Sequence, residues 1–127
     1  MASSSTPKIQ VYKADGVIAK GKAVICGTDD DHVAIGAANT SKCIGVLQSA
    51  AAAAEDLVEV ALPGGGGKGL LGETVTAGQL LVSHTDGTLY KVNASGDRVI
   101  AMAMEGGVSG DLINIEVVVA VGTTADQ

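Results

Sequence analysis

Phenylalanine and tryptophan are absent from this 127-residue chain, and tyrosine occurs only twice. An interior without large rings must be built from Val, Ile, Leu, Met and Ala, which bury less area per residue than an aromatic core. The same absence removes the stacking platforms on which single-stranded nucleic acids lie. Basic residues are also scarce: Lys and Arg number 8 against 14 Asp and Glu, a formal net charge of -6. Nucleic-acid binding needs clustered cations to displace counterions, so no nucleic-acid partner is expected. No apolar run approaches the roughly 20 residues of a membrane span, so no membrane partner is expected either. The first seven residues, Met1–Pro7, are Ser-rich without an apolar stretch and do not read as a signal peptide. The two cysteines, Cys26 and Cys43, form no CxxC pair. They read as buried structural thiols of a protein made in a reducing cytosol, and a disulfide between them stays open.

What is present occurs twice. Gly21-Lys22-Ala23-Val24-Ile25 lines up with Gly78-Gln79-Leu80-Leu81-Val82, and Thr28-Asp29-Asp30 with Thr85-Asp86-Gly87. Cys43-Ile44-Gly45-Val46 falls against Val99-Ile100-Ala101-Met102. Asp56 to Leu62 matches Asp111 to Val117. The offset stays near a period of about 55 residues, the mark of one supersecondary unit used twice. Neither copy is large enough to bury its own apolar face, so the two are expected to close on each other.

Each copy reads as a series of short strands. Ile9 to Lys13 alternates apolar and polar, as a half-buried strand does. Asp15-Gly16 is a turn signal, and Val17-Ile18-Ala19 resumes as strand. Ala23–Cys26 and His32–Ile35 flank the Asp-rich turn as a hairpin; Leu80–Val82 and Leu89–Val92 repeat it around His84 to Gly87. Asn39–Lys42 and Asn93–Asp97 read as loops. Strands follow at Cys43–Leu47, Leu57–Leu62, Arg98–Met104 and Leu112–Val121. The five alanines Ala50–Ala54 favour helix, but so short a helix is marginal, and the matching Glu105–Gly110 is glycine-rich. A loop with room for one helical turn is expected. The fold class is therefore all-β: a small barrel or sandwich of two similar strand units with an extended N-terminal arm. The arm is residues 1–8, the single β domain 9–121 and the C-terminal tail 122–127. The repeat units are about 17–62 and 75–121, joined by a flexible glycine-rich linker, 63–72.

No motif carries reactive chemistry. Gly64–Gly69 satisfies GxGxxG but opens no helix, and Lys68 is followed by Gly69 where a phosphate loop needs Ser or Thr. Asp29-Asp30-Asp31-His32 has cation-ligand chemistry. Its counterpart, Asp86 to Leu89, keeps one such ligand, so a solvated acidic turn is the stronger reading. Ala101-Met102-Ala103-Met104 resembles the Ala-Met-Lys-Met turn of biotin carrier domains, yet Ala103 stands where the acylated lysine would be. No catalytic residue, cofactor or metal is assigned. The arm has a second use. An extended segment can add a strand to a neighbour's sheet edge, and Pro7, Ile9, Val11 and Tyr12 are the candidate partner contacts. Pairing within its own domain is the equal alternative.

Val17-x-Ala19-x-Gly21-x-Ala23-Val24, Ile44-Gly45-Val46, Leu57 to Gly64 and Thr76-Ala77-Gly78-Gln79-Leu80 occur in that order. In this order the chain resembles the tailed-phage capsid decoration, or cement, proteins, over about Ile9 to Val121. The resemblance implies a non-enzymatic virion protein on the outer surface of an icosahedral head, made in the host cytoplasm. It implies the major capsid protein as partner and a homotrimer or other homo-oligomer as its own state. The alternative is a small β binding module of a phage tail or surface assembly that recognises a ligand or glycan. Such a module needs a pocket lined by aromatic or convergent polar groups.

Overall fold

The computed structural model describes residues 8–38, 42–84, 86–92 and 97–121. Pro7, most of the arm, the centres of the two loops at 39–41 and 93–96, and the tail at 122–127 lie outside the described residues.

Ten strands and no helix appear among the described residues: β1 (Ile9–Ala14), β2 (Ala23–Cys26), β3 (His32–Ile35), β4 (Cys43–Leu47), β5 (Leu57–Ala61), β6 (Gly66–Leu70), β7 (Leu80–Ser83), β8 (Leu89–Lys91), β9 (Arg98–Ala103) and β10 (Leu112–Val121). Strands β1-β3-β2-β4-β5 form a closed barrel; the second sheet runs β6-β10-β9-β7-β8. The fold is all-β, as the strand signals predict.

The duplication extends to the hydrogen-bond register. Val24 pairs with Gly45 as Leu81 pairs with Ala101, and in both units the β2–β4 or β7–β9 ladder shifts register at the next residue. Gly21 donates its N–H to Leu47 O at 2.7 Å, and Gly78 donates to Ala103 O at 2.7 Å. Lys13 lies opposite Leu57, as Leu70 lies opposite Leu112. The isolated bridge Ile18 to Ala51 recurs as Val75 to Gly107. Both Gly21 and Gly78 sit at φ 90°, a conformation that glycine adopts without a Cβ penalty.

The register places β6 as the copy of β1, and this corrects the linker reading of 63–72. Gly66–Leu70 is a strand paired along β10. Its glycines answer to close neighbours. A Cβ on Gly67 would lie 2.7 Å from the Gln48 amide. That amide accepts the Lys68 N–H at 2.9 Å and donates to Lys68 O at 3.0 Å, a side chain standing in for a strand. Val17-Ile18-Ala19 differs from expectation too. Only the single bridge at Ile18 forms, because the chain turns away towards Gly21. The alanine run forms bends and turns around the bridging Ala51, with no helical turn.

The first unit does enclose an interior of its own, contrary to the size argument. β1 closes it, antiparallel to β5 and parallel to β3, so both edges of the sheet are consumed. Ala14, Ile18, Val24, Val33, Leu47, Val58 and Val60 fill that interior. A second cluster joins the units: Ala23, Val46 and Ala61 of the first pack with Leu71, Leu81, Leu89, Ile100, Ile113, Ile115 and Val117 of the second. The second sheet stops short of full closure. Leu71 bridges Leu89 in parallel, and beyond it the Glu73 carboxylate accepts the edge N–H of Lys91 at 2.9 Å. A charged cap of this kind denies the edge to another strand.

Both cysteines are free. Cys43 pairs with Ile25, so Cys26, the next residue, projects from the opposite face of its strand. That geometry separates the two sulfurs. It also leaves Cys26 exposed, not buried as its apolar neighbours suggest. Burial pushes the half-buried Cys43 thiol up to about 11, which keeps it protonated and unreactive.

Candidate functional site

Because side chains alternate along a strand, one face of β1 carries Ile9, Val11 and Lys13, and the other Tyr12 and Ala14. Ala14 is buried in the barrel and Tyr12 packs against the same core. The outward set is open: Ile9 is 40% and Val11 55% exposed. Leu57, opposite Lys13 on β5, adds a further apolar side chain that is 68% exposed. Ile9, Val11 and Leu57 thus form an apolar strip across the β1–β5 pair, with Lys13 and Glu59 among them. Of the predicted contacts, the fold brings Ile9 and Val11 together on this strip and turns Tyr12 inward. The backbone of β1 is already paired along β5 over Ile9–Lys13. The segment Ile9–Lys13 therefore pairs within its own domain along β5, while its pairing with β3 on the other side begins only at Lys13. Sequence reasoning passed over Leu57, which reads as one more apolar residue at a strand start.

The acidic turn at the β1–β3 seam holds a second constellation. His32 is 7% exposed, and both its ring nitrogens face carboxylates. Nδ1 lies 2.9 Å from Asp31 Oδ1, and Nε2 lies 2.8 Å from Glu55 Oε2. Asp29 Oδ2 is 3.6 Å from Nδ1, and Lys13 Nζ is 3.9 Å from Asp31 Oδ2. A neutral imidazole has one donor, so only the doubly protonated ring satisfies both partners. The Glu55 hydrogen bond raises the His32 pKa above 6.5; burial opposes it, and Asp31 adds to the rise. Glu55 pays for its place with a left-handed backbone, φ 72°, where its counterpart is Gly110. Its N–H donates to Ala14 O at 2.7 Å, so the ion pair fastens the β3 start to the end of β1. Asp29, Asp31 and His32 bring possible ligand atoms within 4.8 Å of one another. In this structure each imidazole nitrogen is taken by a carboxylate, so the arrangement is that of an ion pair.

A folded-state pKa above the unfolded value of about 6.5 fixes the sign of the pH effect. The clasp contributes fully below the unfolded value and is lost as pH rises through the folded one. The stability difference between wild type and His32→Gln should shrink between pH 6 and pH 9, in urea melts at each pH. A difference independent of pH would remove the clasp from the account.

Two other features have less reach. Asp15, Gly16, Val17, Ile18, Ala34 and Ile35 line a shallow groove of about 240 Å³ with no aromatic wall. Tyr90 stacks on His84 with ring centroids 4.2 Å apart, so one face of its ring is already used.

No family model matches this chain, and no curated protein matches it. Among solved structures it is similar to the head fiber gp8.5 N base of bacteriophage phi29, with a TM-score of 0.67 and 20% identity. The match covers 89% of this chain and 94% of that one. At that identity the likeness is one of fold alone.

Proposed function

We propose that this is a non-enzymatic structural protein of a phage particle, attached to the outer surface of the head. The β1–β5 strip is the surface that meets other subunits of the shell. The single observation that carries this reading is the strip itself: Ile9, Val11 and Leu57 stand exposed together on a rigid, paired strand face. Singly scattered surface apolar residues need no explanation, whereas several on one paired strand face, here interspersed with Lys13 and Glu59, support an interaction surface. The head-fiber likeness supports a virion setting, and the cement-protein resemblance supports the major capsid protein as the partner and the stabilising of its subunit contacts as the role. A homotrimer or other homo-oligomer would multiply weak contacts into avidity. The glycan-module reading draws little support from a groove without aromatic walls.

Purified protein mixed with undecorated heads and sedimented is expected to pellet with them and to saturate at a fixed number per head. Protein that stays in the supernatant at every concentration would defeat the attachment.

A further inference from the structure

The barrel of the first unit closes through one end of β1 only. Main-chain groups alternate along a strand between its two edges. The even-numbered residues from Lys8 to Ala14 face β5: Lys8 O accepts the Leu62 N–H at 2.7 Å, and Ala14 donates to Asp56 O at 2.9 Å. The odd-numbered ones face β3: Lys13 donates to Asp31 O at 2.7 Å, and Asp15 to Val33 O at 2.9 Å. β3 meets β1 only at Lys13 and Ala14. The N–H and C=O groups of Ile9 and Val11 therefore point to an edge that no described residue covers.

The second unit shows what this edge takes. Lys68 lies opposite Asn114 as Val11 lies opposite Glu59, so Lys68 is the copy of Val11. Its N–H and C=O are both held by the Gln48 side-chain amide, at 2.9 and 3.0 Å. Leu70, the copy of Lys13, donates to Gly21 O at 2.9 Å. The first unit thus covers this edge of β6, while the same edge of β1 stays open. Such an edge is a template for another strand.

We propose that a second copy of this chain covers it, the β1 strands of two molecules pairing antiparallel about a two-fold axis at Gln10. This register pairs every open group. Ile9 of each copy exchanges both main-chain bonds with Val11 of the other. Shifted one way, Val11 would face Pro7, which has no N–H. Shifted the other way, Ile9 would face Lys13, whose N–H is already given to Asp31. The side chains agree. Gln10 meets Gln10 at the axis, where the two amides can bond, and Ile9 meets Val11 on the outer face. Lys8 arrives opposite Tyr12, beside the exposed carboxylates of Asp29 and Asp31, so cation meets anion at both ends. Ile9, Val11 and Leu57 still project outward, and the strips of two copies run together without being covered. The inference rests on the attachment reading only in specifying the homo-oligomer invoked there.

Sedimentation equilibrium of the full chain without heads should show wild type in a reversible monomer–dimer equilibrium that stops at the dimer. Val11→Pro keeps an apolar side chain and removes an N–H that the monomer leaves unpaired, so it should melt as wild type does. It should dimerise at least about tenfold more weakly. Val11→Thr keeps the N–H and should dimerise within about threefold of wild type. A cross-link reads the same axis independently. Cys26→Ser first removes the exposed thiol; Gln10→Cys in that background should then form a disulfide-linked dimer under mild oxidation, since directly opposed residues at such an axis lie within disulfide reach. Should Val11→Pro melt early, the cross-link decides. A monomeric wild type overturns the proposal, and so does a dimer that Gln10→Cys fails to trap. Because no heads are present, either result leaves pelleting with heads as a separate outcome.

Discussion

Gly21→Ala is expected to destabilise the protein by about 3 kcal/mol, and Gly78→Ala by only about half of that. The two glycines share φ 90° and the same place in their units. A side chain at such a φ costs about 1–2 kcal/mol at either site. The difference lies in what surrounds them. At Gly21 the new methyl would enter the space of Leu70 N and Leu70 Cβ, at 2.8 and 2.9 Å. Those atoms belong to β6, held by β10 on its other side, so they cannot simply retreat. Overpacking of that kind adds about 1–3 kcal/mol. Gly78 faces open space. Urea melts of the two variants measure the contact between the units by subtraction. Equal losses would mean that the units do not meet at Gly21.

Replacing Ile9 and Val11 together by Asp is expected to weaken head binding about a hundredfold, equivalent to about 2.7 kcal/mol. Two exposed apolar side chains lose the gain of being covered, and two carboxylates add a desolvation cost in their place. Both project away from the barrel, so the melting temperature should hardly move. Tyr12→Ala is the control. Its side chain packs against the barrel core from the opposite face of β1, so it should lower stability while folded molecules bind heads normally. Pelleting titrations read both. If the double variant binds as wild type does, the strip is not the docking face.

Much of this architecture is legible in the sequence, for identifiable reasons. Strands such as Leu57–Ala61 alternate cleanly, with Val58 and Val60 buried and Leu57 and Glu59 outward. The repeat itself shows in the apolar and Asp-Gly spacings. β6 is not legible, because Gly66-Gly67-Lys68-Gly69 has no pattern for a half-buried strand. Its conformation is set by tertiary neighbours, above all Gln48 and β10, which local propensity does not contain. The His32 clasp is hidden for the same reason: Glu55 lies 23 residues away in sequence. Exposure of Leu57 and Met104 is equally invisible. An apolar residue in a strand pattern reads as core until the sheet's two faces are assigned.

Amide hydrogen exchange across Gly66–Leu70 tests the two-unit account most directly. If β6 is the first strand of a second unit, the Lys68 N–H held by Gln48 and the Leu70 N–H held by Gly21 exchange as slowly as those of Lys13 and Ala14 in β1. Exchange at the rate of an unstructured glycine-rich segment would leave the second unit without its first strand, and Gln48 and Gly21 of the first unit without their partners across the joint.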